Sequence, residues 1–232
     1  MSNQALQIAM IEELEQEYSW RTVEFEKIEN ILNEKAIDEV FCEVFRKTLI
    51  IMLYAYFEGY CKSALSIYAG YVNRLRLPVS AVTDGLACSA LYEAFSKLLD
   101  SYHKPIDLGT CLKEDNILQT FGRRKEFVSQ YAQHGAKIVQ IPDKVIETES
   151  NLKSHVLKKI LFCLDMDYTI VDQYQTEINE LVNKRNSFAH GDRRRSPDLI
   201  EYNRYKDKTF GLMRTIKQIT YEHYCNEKYL KR

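Results

Sequence analysis

Apolar side chains recur at Ile8, Ile11, Leu14, Tyr18, Val23, Phe25, Ile28 and Leu32, mostly three or four positions apart and set among many acids. A spacing near 3.6 gathers them on one face, so the pattern predicts an exposed amphipathic helix over about residues 4–34. Between about residues 37 and 77 the pattern is richer. Val40, Val44, Leu49, Ile50, Leu53, Tyr54, Phe57, Tyr60, Cys61, Leu65 and Tyr68 leave little polar face, which predicts the central helix of a bundle. Leu77-Pro78 ends it, because the residue before proline is pushed out of the helical region and proline has no amide to donate.

The texture then changes. Residues 78–150 hold one clear helical pattern at about 86–102, a shorter one at about 123–133, and alternating apolar residues in Lys137-Ile138-Val139-Gln140-Ile141. Pro105, Gly109, Gly122, Gly135 and Pro142 punctuate the segment, which reads as an insertion or lid within a single domain spanning 1–232. Helical patterning returns at about 151–164, 168–190 and 197–229, the last with Ser196 as its expected N-cap and Pro197 in its first turn. The expected fold class is therefore all-α, a helical bundle with an inserted middle segment.

Composition sharpens this picture and excludes some functions. Eight glycines and four prolines are too few for the turns of a strand-rich fold, and 45% hydrophobic residues suffice for one core. A net charge of −1 argues against coating nucleic acid by bulk charge, so any phosphate contact must be local. Basic clusters occur at Arg74 and Arg76, at Arg123-Arg124-Lys125, at Lys184-Arg185 and at Arg193-Arg194-Arg195. Most such clusters are solvated surface.

Cys42, Cys61, Cys88, Cys111, Cys163 and Cys225 are scattered singly, without zinc-binding spacing, and read as reduced core thiols. His103, His134, His155, His190 and His223 show no paired helical spacing either, so neither a metal nor a cofactor is expected. The first residues lack the pattern of a secretion signal, and the apolar run 49–57 is too short to cross a bilayer. A cytoplasmic protein without a membrane partner is expected.

One segment carries an oddity of charge. With Arg185 at zero and about 100° per residue, Ile178 falls near +20°, Val182 near +60°, Leu181 near −40°, Phe188 near −60° and Ala189 near +40°. A guanidinium thus sits in the middle of the face that should be buried, which is costly unless it meets an anion or a partner. Asn186 near +100° and His190 near +140° line one side of the same helix with Arg185. Gly191 suits the left-handed position that closes a helix, placing His190 at the last turn. Two readings stay open: Arg185 pairs with a carboxylate such as Glu58 and His190 is an ordinary helix-end histidine, or the two form a site.

The string Leu181-Val182-Asn183-Lys184-Arg185-Asn186-Ser187-Phe188-Ala189-His190-Gly191 resembles the signature of the HEPN superfamily, an Arg, a polar residue directly after it, and a His following four to six intervening residues, here four. Tyr54-Ala55-Tyr56-Phe57-Glu58-Gly59-Tyr60-Cys61-Lys62 is similar to the upstream helix of its RiboL-PSP-HEPN branch. The resemblance implies a HEPN-type bundle that pairs as a homodimer and a metal-independent endoribonuclease, of a toxin, phage-defence or RNA-processing system. It further implies that His190 is the acid/base group, that Arg185 holds the phosphate and that Asn186 orients one of them. Glu58 is a candidate support, although Lys62 at i+4 offers it a plain helix ion pair. Arg193, Arg194 and Arg195 are candidates for the RNA backbone.

The alternative is a noncatalytic HEPN module for RNA or nucleotide binding or for dimerisation. An antitoxin or defence-system partner fits the first reading. Where some relatives carry a modifiable tyrosine two residues after the motif histidine, this chain has Asp192, which argues against regulation at that site.

Overall fold

The two long apolar patterns at the start of the chain form an antiparallel helical pair. In the computed structural model, which describes residues 3–34, 39–105, 116–191 and 196–231, helix α1 is Asn3–Glu34 and helix α2 is Glu39–Arg74. Tyr18 meets Tyr60 edge to face and Trp20 meets Tyr56, so early positions of α1 lie beside late positions of α2. As expected, α2 is central. Leu49, Ile50, Leu53, Tyr54, Phe57, Tyr60, Cys61, Leu65 and Tyr68 are all buried.

After Pro78 the chain departs in detail from its periodicity. The single helix expected over 86–102 is two, α3 Asp84–Ala90 and α4 Tyr92–Leu99, broken at Leu91 with φ −92° and ψ 14°. The short helix expected at 123–133 starts earlier, as α5 Asn116–Ser129, with the one-turn α6 Tyr131–His134 behind it. The alternating residues 137–141 run extended beside 77–79, joined by Val79 N–H to the Lys137 carbonyl and Val139 N–H to that of Leu77. No longer strand forms among the described residues.

The two ends of the 78–150 segment belong to the core, since Val79, Val82, Leu86, Val139, Ile141 and Ile146 are buried. Its middle packs on itself, with Phe95 against Phe127, and leaves Leu99, Ile117, Phe121 and Val128 exposed.

Three helices complete the bundle: α7 Ser154–Cys163, α8 Gln175–Ala189, preceded by a 3-10 stretch at Tyr168–Tyr174, and α9 Leu199–Cys225. Ser196 is not the cap of α9. Asp198 is, its carboxylate accepting from the Glu201 amide, while Ser196 is buried and donates to the Glu43 carbonyl. Helix α9 lies along α2 and α1, with Tyr68 against His223, Tyr71 against Tyr224, and Lys217 and Lys206 paired with Glu15 and Glu29. Eight of the sixteen tyrosines are core residues, whereas the cysteines mostly are not. Cys61 is buried, Cys88 is exposed, Cys42, Cys163 and Cys225 are half-buried, and Cys111 lies outside the described residues. No described helix is long and apolar enough to cross a membrane.

Candidate active site

Although Ala189, expected on the buried face, is exposed at the helix end, helix α8 sets the odd arginine in its apolar seam. Ile178, Leu181 and Val182 are fully buried around it, and Phe188 is half-buried. Arg185 keeps 23% of its side chain exposed. Three neighbours hold its guanidinium. The carbon Cζ stands 4.1 Å from the centre of the Tyr54 ring, a cation on an aromatic face. Nη1 donates to Asn186 Oδ1 at 2.8 Å. Nη2 approaches Glu58 Oε2 only to 3.6 Å, too long for the charge-assisted hydrogen bond that a closed arginine–carboxylate fork makes.

Tyr54 and Glu58 come from one face of α2 because they are four residues apart. The pairing left open at Glu58 is decided by this geometry: its ion pair is with Arg185, while Lys62 is exposed. Burial pushes the Tyr54 phenol up to about 12, the Leu152 amide opposing and Glu58 reinforcing the rise, so its oxygen stays neutral and accepts from the Leu152 amide at 2.7 Å.

His190 caps α8. Its amide donates to the Asn186 carbonyl, Gly191 follows at φ +75°, and the Gly191 amide donates to the Phe188 carbonyl, closing the helix in the left-handed manner expected. The imidazole is exposed and makes no side-chain hydrogen bond or ion pair among the described residues. It stands five residues from Arg185, about 7.5 Å along the helix axis. Arg185 and Asn186 are therefore brought together, and His190 stands further along, at the open end of α8. Arg193, Arg194, Arg195 and Asp192 lie outside the described residues.

Other groups near the motif were not singled out by periodicity. Lys47 of α2 sits over the Phe188 ring at 5.5 Å, and Lys184 is occupied by Glu201 at 3.0 Å. Asn151, in the turn before α7, accepts from Asn186 Nδ2 at 3.1 Å. Only the i, i+4 spacing of Tyr54 and Glu58 could have flagged any of these partners; Asn151 is 35 positions away and carries no local signal.

Three of the other histidines have structural partners or packing, and His155 is exposed. His223 lies between the Tyr68 hydroxyl and the Asp165 carbonyl, His103 pairs with Glu126, and His134 is buried against Phe127. Among the described residues no group of three or more His, Cys, Asp and Glu side chains is placed to hold a metal ion. A cavity of about 600 Å³ opens elsewhere, between α3, α7 and the 144–149 segment, and contains none of the motif residues.

An all-α bundle with an arginine inside its apolar seam and a histidine closing the same helix is the arrangement expected of a HEPN domain. The RiboL-PSP-HEPN family model matches residues 16–222, and the chain belongs to that family. The match runs through residues 78–150 as well as both motif helices. No curated protein and no solved structure matches the chain significantly.

Proposed function

We propose that this chain is a metal-independent endoribonuclease of the HEPN type. The observation that carries the reading is the state of Arg185. It is a cation in an apolar seam, set over the Tyr54 ring, with one edge bonded to Asn186 and the other only loosely opposed by Glu58. A phosphate can take that loose edge with two parallel hydrogen bonds, a geometry that suits guanidinium and not ammonium.

In the proposed step, neutral His190 takes the proton of a ribose 2′-OH as that oxygen attacks the adjacent phosphorus. Arg185 offsets the charge that grows on the phosphoryl oxygens. The bond from phosphorus to the 5′ oxygen breaks and that oxygen is protonated, leaving a 2′,3′-cyclic phosphate and a 5′-OH. In a homodimer the second copy of His190 is the natural proton donor. Exposed Phe41, Val44, Leu199 and Ile200 support such pairing, because the 196–197 segment is tied to α2 at Glu43 and Arg46 and so sets these side chains at the end of the bundle where His190 opens. Arg193, Arg194 and Arg195 follow the motif directly and would meet the RNA backbone. A growth-arresting toxin or phage-defence effector, held in check by an antitoxin or a partner of the same system, is the setting we propose.

One observation favours a second reading. The Arg185–Glu58 contact is what a noncatalytic module would also show, with the charge buried for dimerisation or for binding RNA uncut.

The deciding experiment incubates the protein and its His190→Ala variant with total cellular RNA in EDTA and maps the fragment ends. Cleavage by the unmutated protein alone, with 2′,3′-cyclic phosphate ends, is expected. Equal cleavage by both would remove His190 from the chemistry. No cleavage by either, with both folded and dimeric, would leave the noncatalytic module.

A further inference from the structure

Two consecutive residues without a glycine's freedom, Glu149 and Ser150, adopt φ of +52° and +61° in the turn that precedes α7. Single left-handed residues are tolerated in turns, but two in succession are costly and persist only where the surroundings over-determine them. Here the turn is held by its own backbone hydrogen bonds and by an ion pair to α7. The Asn151 amide donates to the Thr148 carbonyl and the Lys153 amide to that of Asn151, closing the turn on itself. The Glu149 carboxylate pairs with Lys159 of α7 at 2.5 Å on the surface.

The residues immediately after the strained pair reach straight into the site. Asn151 Oδ1 accepts from Asn186 Nδ2 at 3.1 Å, and Asn186 Oδ1 in turn accepts from Arg185 Nη1 at 2.8 Å. The next amide, that of Leu152, donates to the hydroxyl of Tyr54, whose ring carries the guanidinium. Two residues further, the Ser154 amide donates to Asn179 Oδ1 at 3.0 Å. Asn179 and Asn186 are seven positions apart, about 20° from alignment on α8, so one line of that helix grips the segment at both ends.

We infer that the 149–152 turn is a strap that orients Arg185, with Asn151 as a positioning residue for the phosphate-binding guanidinium. An asparagine amide left alone can rotate and exchange its oxygen for its nitrogen at small cost. If Asn186 turned in that way it would present a donor to Arg185, and the fork would be lost. Asn151 opposes this, because its side-chain oxygen, turned toward Asn186, accepts from the Asn186 amino group and so leaves the Asn186 oxygen facing the arginine. The strap therefore selects one orientation of a side chain it touches and, through it, one orientation of a cation it does not touch.

This role rests on the reading of Arg185 as the phosphate-binding cation, and the test separates the two. The side-chain Nε–Hε resonance of Arg185, identified as the signal missing from Arg185→Lys, is followed by NMR in the full chain. The same signal is recorded in Asn151→Ala, Asn186→Ala, the double variant and Asn151→Asp, which keeps the accepting oxygen. Cleavage of one defined RNA is measured in parallel.

Asn151→Ala is expected to shift the Arg185 signal and quicken its solvent exchange. The double variant should go no further than Asn186→Ala, and Asn151→Asp should restore the signal. The turnover number of Asn151→Ala should fall roughly tenfold with KM little changed, about what one lost hydrogen bond is worth. That loss should vanish in the Asn186→Ala background, whereas a general structural defect would add to it. An unmoved or undetectable Arg185 signal, or additive effects of the two substitutions, overturns the inference. If the unmutated protein cuts no RNA while the signal responds as described, the strap stands as the device that orients Arg185, and the ribonuclease reading is what has failed.

Discussion

Replacing Tyr54 by phenylalanine removes one oxygen from the middle of the bundle and tests the connection between α2 and the strap. The hydroxyl accepts from the Leu152 amide at 2.7 Å, and Leu152 is fully buried, so water cannot take its place. A buried N–H that loses its partner costs about 1–3 kcal/mol, and a stability loss near 2 kcal/mol is expected. For a chain of this length each kcal/mol lowers Tm by about 2–4 °C, so Tyr54→Phe should melt about 4–8 °C below the unmutated protein. Tyr54→Leu should fall further, losing also the ring under Arg185, a contact worth about 1 kcal/mol, and leaving an imperfectly filled space.

Circular dichroism melts measure the global change, and amide exchange at Leu152 localises it. Protection there should drop about 30-fold, the equivalent of 2 kcal/mol. Since the ring survives, Tyr54→Phe should keep the guanidinium stacked while loosening the strap, and its cleavage should fall less than that of Tyr54→Leu. A Tyr54→Phe protein that melts within 1 °C of the unmutated chain, with Leu152 equally protected, would refute the argument that this hydroxyl is the buried amide's partner.

Two more positions can be tested through their partners and backbone geometry. His223 accepts from Tyr68 on one nitrogen and donates to the Asp165 carbonyl with the other, and burial lowers its pKa below the ordinary 6.5. The unfolded chain then binds that proton more readily, so stability is full above about pH 6.5 and declines as pH falls through that value toward the folded pKa. Urea unfolding at pH 7.5 and 5 should show this decline, and His223→Gln should flatten it; an unchanged slope would remove His223 as its source. Gly191→Ala should cost about 1 kcal/mol through backbone strain, because φ is +75° and, among the described residues, nothing lies within 4 Å of an added Cβ. Gly191→Asn should fall between the two, and a neutral alanine in thermal melts would deny the left-handed closure that sets His190.

Much of this protein was written locally. Arg185 stands out because helical geometry alone surrounds it with Ile178, Leu181 and Val182, and Gly191 announces the end of α8 because few other residues tolerate its conformation. The long elements α1, α2, α8 and α9 follow from repeating patterns that sum over many residues. Boundaries fared worse where competing signals were close. At the start of α9, Ser196 and Asp198 are both good caps, and Asp198 takes the role because Ser196 is drawn into the core by the Glu43 carbonyl. The break at Leu91 separates two short helices that pack on different neighbours, α3 on α7 and α4 on α5, a division that residues 86–102 by themselves do not announce.

The order of residues by itself determined the helical class, the central place of α2, and a cation set in the apolar seam of a helix that a histidine closes, since each depends on contacts within a few turns of one helix. Only the tertiary structure decided what holds that cation. Glu58 faces Arg185 because α2 and α8 pack together there, the Tyr54 ring lies beneath it, and Asn151 reaches Asn186 from a turn 35 residues away. These are long-range meetings of side chains whose local patterns are silent about one another, and the free energy that selects them comes from packing the whole bundle.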